Sequence, residues 1–242
     1  MVRHEKRTMK KNIYFLLFIL PLLSEAQKPK DEKLSRVDSM VKAMRITTHD
    51  LEVLSDTLFV PFHTDSEKVR AIFYWMAENI AYDYDKYQAH GSNPSAPLPE
   101  GMNEDDFEYK LVSDIVKKRK AICGEYSMLF KYMCDAAHIK CEYITGYGKT
   151  CCLTKLLFLT GAESNHSWNA VMINGKWYLL DVTWAATCMI NNGKREWSAR
   201  NDFYYLCPPE KFIKDHHPDE DQWQLLAVPL TAKEWVKQAC MK

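Results

Sequence analysis

"NHSWNAVMINGKWYLLDVTW", Asn165 to Trp184, carries two apolar runs joined by Asn174-Gly175. Asn-Gly in that setting is the strongest short-range hairpin signal, because a type I′ turn needs positive φ at both central residues. With Asn174-Gly175 at the tip, Ile173 faces Lys176, Trp168 faces Asp181 and His166 faces Thr183. Side chains alternate between faces along a strand, so His166, Trp168, Asp181 and Thr183 are expected on one face, with His166 and Asp181 as diagonal neighbours. A carboxylate beside an imidazole fixes its tautomer, stabilises its protonated form and leaves the second nitrogen to exchange a proton. Such pairs are also common as plain structural contacts. A nucleophile nearby is what separates the two readings.

The preceding block, "KKRKAICGEYSMLFKYMCDAAHI", places Tyr126, Leu129, Phe130, Met133, Cys134 and Ala137 at helical spacing, which predicts a helix with one buried face starting at about Cys123-Gly124. Cys134 sits mid-face, where structural cysteines usually lie. Cys123 instead stands at the helix start, where unsatisfied N–H groups and the helix dipole favour a negative sulfur and where its own N–H can face an oxyanion. One cysteine at a helix start with a distant histidine and aspartate is the pattern of nucleophilic catalysis.

Further out, "DEKLSRVDSMVKAMRI" and "HTDSEKVRAIFYWMAENIAYDY" both read as helices, the second with a stripe of Val69, Ile72, Phe73, Met76 and Ile80 and a cap at Thr64 or Asp65. His90 to Gly101 breaks the periodicity and reads as a loop at a soft boundary. "KCEYITGYG" reads as a strand ending in a Gly-rich turn, and the closing segment from Asp202 to Trp235 as a strand, proline-broken loops and a short helix. Two polar clusters invite a metal reading. In "KDHHPDED", His216, His217 and Asp219 cannot easily converge on one ion from adjacent histidines, so a solvated loop is expected; Asp83 and Asp85 lack the spacing and glycine of a calcium loop and read as a helix exit.

At 242 residues and 47% hydrophobic, the chain is long enough to bury a substantial core. Lys and Arg total 32 against 32 Asp and Glu, so no basic field favours nucleic acid. The opening "MKKNIYFLLFILPLLSEAQ" has the basic start, short apolar stretch and small or polar end of a signal peptide, with cleavage expected near Ala26 and Met9 a better start than Met1. No stable membrane span is expected after cleavage, and the chain is expected to be periplasmic or extracellular. Eight cysteines (Cys123, Cys134, Cys141, Cys151, Cys152, Cys188, Cys207 and Cys240) leave seven if one stays a free thiol, so a complete disulfide framework is not expected.

"RKAICGEYSMLFKYMCDAAHIKCEYITGYGK", the hairpin, and "VRAIFYWMAENIAYDYD" together resemble the transglutaminase-like superfamily with its papain-like fold. The closing segment resembles the branch that includes kyphoscoliosis peptidase and cytokinesis-associated transglutaminase-like proteins. The resemblance implies an α+β fold, a papain-like or transglutaminase-like core with N-terminal helices packed on an antiparallel β-sheet. With the signal-peptide pattern and the loop boundary added, the chain is expected to divide into residues 1–26 as signal peptide, 27–101 as the N-terminal helical part of the domain and 102–242 as the transglutaminase-like catalytic core with a C-terminal extension. The family's nucleophile falls on Cys123, its histidine on His166 and its aspartate on Asp181. Glu125 takes a position where the family commonly has glycine, which implies a differently shaped helix start. The implied activity is cysteine-dependent acyl transfer, as a peptidase or amidase acting on a peptide, protein or cell-wall peptide, without a metal or organic cofactor. Transfer to an amine, which crosslinks proteins, and a non-catalytic module that only binds peptide are the alternatives. Trp168, Trp177 and Trp184 are candidates to line the cleft, although aromatics on strand faces more often serve the core.

Overall fold

The computed structural model describes residues 28–91, 98–149 and 163–239. The segment read as a signal peptide, and Cys151, Cys152 and Cys240, lie outside them. Three helices come first: α1 (Lys28–Met44), α2 (Leu51–Phe59) and α3 (Asp65–Asn79). Asp50 caps α2 by accepting from the N–H groups of Glu52 and Val53, and Thr64 with Glu67 forms a full capping box on α3. The apolar stripe read on α3 is wholly buried. The helix nevertheless stops at Asn79, and Ala81–Asp83 form a short strand, β1, before α4 (Tyr84–His90). The chain then runs through α5 (Glu104–Lys118), β2 (Lys120–Ala121) and α6 (Cys123–Ala136), the last starting where its sequence pattern indicates.

Two four-stranded sheets complete the core. One is antiparallel, in the order β5 (Lys176–Leu180), β4 (His166–Ile173), β3 (Cys141–Gly148), β8 (His216–Pro218). The other has the order β2, β1, β6 (Cys188–Asn191), β7 (Lys194–Trp197), with β1 parallel to both neighbours. Between the sheets in sequence lies a one-turn helix, α7 (Val182–Ala185); α8 (Pro209–Phe212) precedes β8, and α9 (Ala232–Ala239) closes the described chain. Helix α6 packs on β3 and β4, with α3 and α5 against it and α1 and α2 against α3. Leu58, Ile72, Trp75, Val116, Phe130, Met133 and Val171 join in one buried cluster. Removing each such side chain from water is worth about 1.5–3 kcal/mol.

The hairpin forms with Ile173 opposite Lys176, and Asn174 and Gly175 both take positive φ, 52° and 76°. The ladder stops at Asn169 opposite Leu180. Trp168 and His166 therefore do not pair with Asp181 and Thr183 as strand partners. Asp181 leaves the strand to cap α7, and Thr183 lies inside that helix. Other expectations fail for related reasons. The glycines of "GYG" lie within β3 rather than in a turn. The strand expected from Asp202 is a 3-10 turn, Asp202–Tyr204, followed by a single bridge from Cys207 to Leu179. The stretch taken for a solvated loop contains β8, with His216 wholly buried and His217 nearly so.

An ion-pair network ties the turn at Asp202 to the N-terminal helices. Arg70, buried on α3, makes a bidentate contact with Asp38 (2.7 Å for both bonds) and two hydrogen bonds to Asp202 (3.0 and 3.1 Å). Arg200 bridges Asp38, Asp202 and Glu78. A guanidinium taken out of water needs every donor matched, and here the partners are carboxylates.

A methyl group added at Gly175 meets nothing within 4 Å, so its only effect is on a backbone held at φ 76°. Gly175→Ala is expected to lower stability by about 1 kcal/mol. Urea denaturation would read this as a lower midpoint at unchanged slope.

Candidate active site

Cys123 is the first residue of α6 and is wholly buried. Ile122, the N-cap, offers no side-chain acceptor to the first-turn N–H groups. Glu125 makes the reciprocal contact from inside the helix: its Oε2 accepts the Ile122 N–H at 3.0 Å, and its Oε1 takes Lys86 Nζ at 2.5 Å. The residue that stands where the family commonly has glycine thus stiffens the turn that carries the cysteine.

His166 opens β4 opposite β3. A Cβ on Gly148 would lie 2.9 Å from the His166 side chain, so the imidazole occupies space that only glycine leaves. The side chain of Asn165 fastens Gly148 from both ends, accepting its N–H at 2.8 Å and donating to its carbonyl at 3.2 Å. Asp181 has its backbone N–H on the Tyr204 carbonyl at 3.0 Å, and its Oδ1 accepts the Trp184 N–H at 3.1 Å.

These three elements bring the side chains together. His166 Nε2 lies 2.7 Å from Asp181 Oδ2, and the Cys123 side chain is hydrogen-bonded to the same imidazole. With Nε2 committed to the carboxylate, Nδ1 is the nitrogen left for sulfur. The Trp184 ring stacks on the imidazole at 5.0 Å. Burial alone would strip the proton from His166, but the Asp181 charge, its hydrogen bond and the Cys123 contact outweigh it and push the imidazole up to about 9. Burial likewise works against ionisation of Asp181, and the contacts from His166 and His216 overcome it, holding this carboxyl well below the usual carboxylate range.

His216, weighed from sequence only as a metal ligand and set aside as solvated loop, is buried in the site. Its Nε2 lies 3.0 Å from the same Asp181 Oδ2, and its Nδ1 lies 2.7 Å from Asp215 Oδ1, while the Tyr204 hydroxyl donates to Asp215 Oδ2 at 2.9 Å. The Asp-His dipeptide was the available signal, hidden in a run that reads as polar loop. His217 turns to the other side of β8, toward the Leu230 carbonyl and Trp235, and Asp219 accepts from Thr145 and Ser164. Asp83 caps α4, and Asp85 accepts the Asn192 and Gly193 N–H groups of the β6–β7 turn. Ligand atoms of His166, Asp181 and His216 lie within 4.8 Å of one another, a spacing that could hold a metal ion. The hydrogen bonds among them use the same atoms.

A cavity of about 790 Å³ opens beside His166, walled by Tyr82, Tyr84, Tyr87, Trp184, Met189 and Trp197 among others. Of the three tryptophans considered from sequence, Trp184 lines it, Trp168 is buried in the core and Trp177 packs on Trp223. Tyr82, on β1, is among the residues lining the cavity. After burial, Cys123 is the neighbour that acts most strongly on its ionisation, which is pushed far above the ordinary phenol range. Thr183 also lines the cavity, and its buried Oγ1 has no partner among the described residues.

Protonation of the buried pair couples to folding. His166 is raised from 6.5 to about 9, so its contribution to stability is full below about pH 6.5 and is lost as the pH rises through 9. Asp181 is lowered, so its contribution is present above about pH 4 and lost in acid below that. Comparing urea midpoints of wild type and His166→Gln from pH 6 to 10 is expected to show the wild-type advantage shrinking above pH 6.5.

A family profile described as Transglutaminase-like superfamily matches residues 54–182. Kyphoscoliosis peptidase of Mus musculus is 31% identical over 208 residues, covering 86% of this chain and 29% of that protein. The Homo sapiens protein of the same name is 34% identical over 184 residues, 76% of this chain and 25% of that one. Hillarin of Drosophila melanogaster is 29% identical over 185 residues, 71% and 20% respectively. The chain spans less than a third of the length of each of these relatives. A profile that covers more than half of the sequence, and a human relative above 30% identity across three quarters of it, place this chain in the transglutaminase-like superfamily.

Proposed function

We propose that the protein is an exported, cysteine-dependent acyl-transfer enzyme that acts as a peptidase or amidase. The observation that carries the reading is the buried hydrogen-bonded series from Cys123 through His166 to Asp181, with His166 at the wall of the aromatic cavity. An imidazole that keeps its proton up to about 9 is already an acid at neutral pH. The Cys123 thiolate adds to a peptide or amide carbonyl carbon, forming a C–S bond and placing the electron pair on oxygen. Collapse breaks the C–N bond, and the departing amine takes the proton from His166. Neutral His166 then removes a proton from water, whose oxygen adds to the thioester; collapse breaks the C–S bond, releases the acid and restores the thiolate–imidazolium pair. Asp181 orients the ring throughout.

The oxyanion is assigned to the Cys123 N–H, in the first turn of α6, and to the Tyr82 hydroxyl. The word peptidase in the names of the mouse and human relatives supports water rather than an amine as the acceptor. The basic and then apolar opening of the sequence supports export.

Mass spectrometry of peptides, peptidoglycan fragments and amine donors incubated with wild type and Cys123→Ala tests the reading. Products carrying added water, absent with Cys123→Ala, are expected; cysteine-dependent products carrying an added amine would make the protein a transferase, and no cysteine-dependent product would leave a binding module. On any substrate found, Tyr82→Phe is expected to lower kcat about 10²-fold with little change in KM.

A further inference from the structure

The acyl-transfer reading uses one histidine, yet two share Asp181. We propose that His216 is a positioning residue of this site: held as a cation between Asp215 and Asp181, it fixes the Asp181 carboxylate and sets the pH range over which Cys123 and His166 form a reactive pair. The inference rests on the acyl-transfer reading of Cys123 and His166.

Donor accounting leads to the charge. An ionised carboxylate only accepts hydrogen bonds, and a neutral imidazole can donate from one nitrogen only. His216 has a carboxylate oxygen at each nitrogen, Asp215 Oδ1 at 2.7 Å and Asp181 Oδ2 at 3.0 Å. Both contacts are hydrogen bonds only if both nitrogens carry protons. The ring is wholly buried, stacked on Phe212 at 4.0 Å and packed against Trp184 at 4.3 Å, so water cannot supply a substitute partner. Both aspartates raise its proton affinity against the effect of burial.

The groups that face His216 are Asp181, Asp215, the Tyr204 hydroxyl beyond Asp215, and His166 with Cys123 beyond Asp181. His217, next in the strand, faces away toward Leu230. The His166 and His216 rings lie 5.3 Å apart. A fixed positive charge at that distance opposes the charge on His166 and favours a negative sulfur beyond it. It draws on the same carboxylate oxygen as His166, so it keeps the His166 proton transferable rather than locked.

Two measurements on the full chain test this. The first is the rate of Cys123 alkylation by iodoacetamide against pH, resolved by peptide mass spectrometry, in wild type, His216→Gln and His216→Phe, the last keeping an aromatic ring on Phe212. Loss of the cation is expected to move both limbs of the profile to higher pH by about one pH unit. A purely packing role predicts an unmoved profile at any rate, and that result would overturn the proposal. The second is the ¹⁵N spectrum of the histidines in Cys123→Ala, where His216 is expected to keep both ring protons from pH 5 to 8. A His216 that is singly protonated at pH 7 would also overturn it. If instead wild type and His166→Ala alkylate alike, the acyl-transfer reading fails, and the ¹⁵N spectra still decide the state of His216.

Discussion

A carboxylate with no access to water must be surrounded by donors or lose its charge, and Asp181 meets that demand with three donors while a fourth contact anchors its backbone. His166 and His216 reach one oxygen, the Trp184 N–H reaches the other, and the Tyr204 carbonyl holds its backbone. Each partner comes from a different part of the chain: β4, β8, α7 and the turn at Asp202–Tyr204. Keeping one buried charge solvated by protein therefore fixes how those parts are assembled. The Arg70–Arg200 network reinforces this from outside, since it secures the Asp202 turn that delivers Tyr204.

The parts of the site closest to regular structure were legible in the sequence. Asn174-Gly175 sets the hairpin register through a backbone requirement that few other residues meet, and the periodicity of Tyr126, Leu129, Phe130 and Met133 dates the start of α6 to Cys123. What failed shares a different character. "WYLLDVTW" reads as an apolar strand carried on through Thr183, but the Asp181 side chain competes for the backbone and starts a helix, as aspartate often does. β1 is hidden because "NIAYDY" continues a helical stripe, and its strand character comes from two partners, β2 and β6, that lie 37 or more positions further along the chain.

β8 shows the limit most clearly. Three residues, two histidines and a proline carry neither apolar alternation nor strand propensity, and proline is tolerated there because β8 is an edge strand. Its burial comes from Trp168, Trp184 and Phe212 closing around His216, all distant in sequence or separated by a turn. Composition reports a solvated loop because the partners that satisfy the polarity are invisible locally. The same holds for Glu125: as a departure from the family's glycine it implies a differently shaped helix start, and only the structure reveals that its carboxylate ties the Ile122 N–H to the first turn of α6.

The family profile ends at residue 182, one residue past Asp181, although similarity to the mouse relative runs on over 208 residues; the hydrogen bonds that complete Asp181 come from Trp184, Tyr204 and His216, all beyond the profile. The profile's boundary and the unit of chemistry thus differ. A graft cut at the profile's end would transplant the sulfur and its imidazole while leaving the carboxylate half solvated and Arg70 without Asp202. In evolutionary terms, the segment after residue 182 is free to diverge in sequence only so far as it still returns an acceptor for the Asp181 backbone and a donor for its side chain.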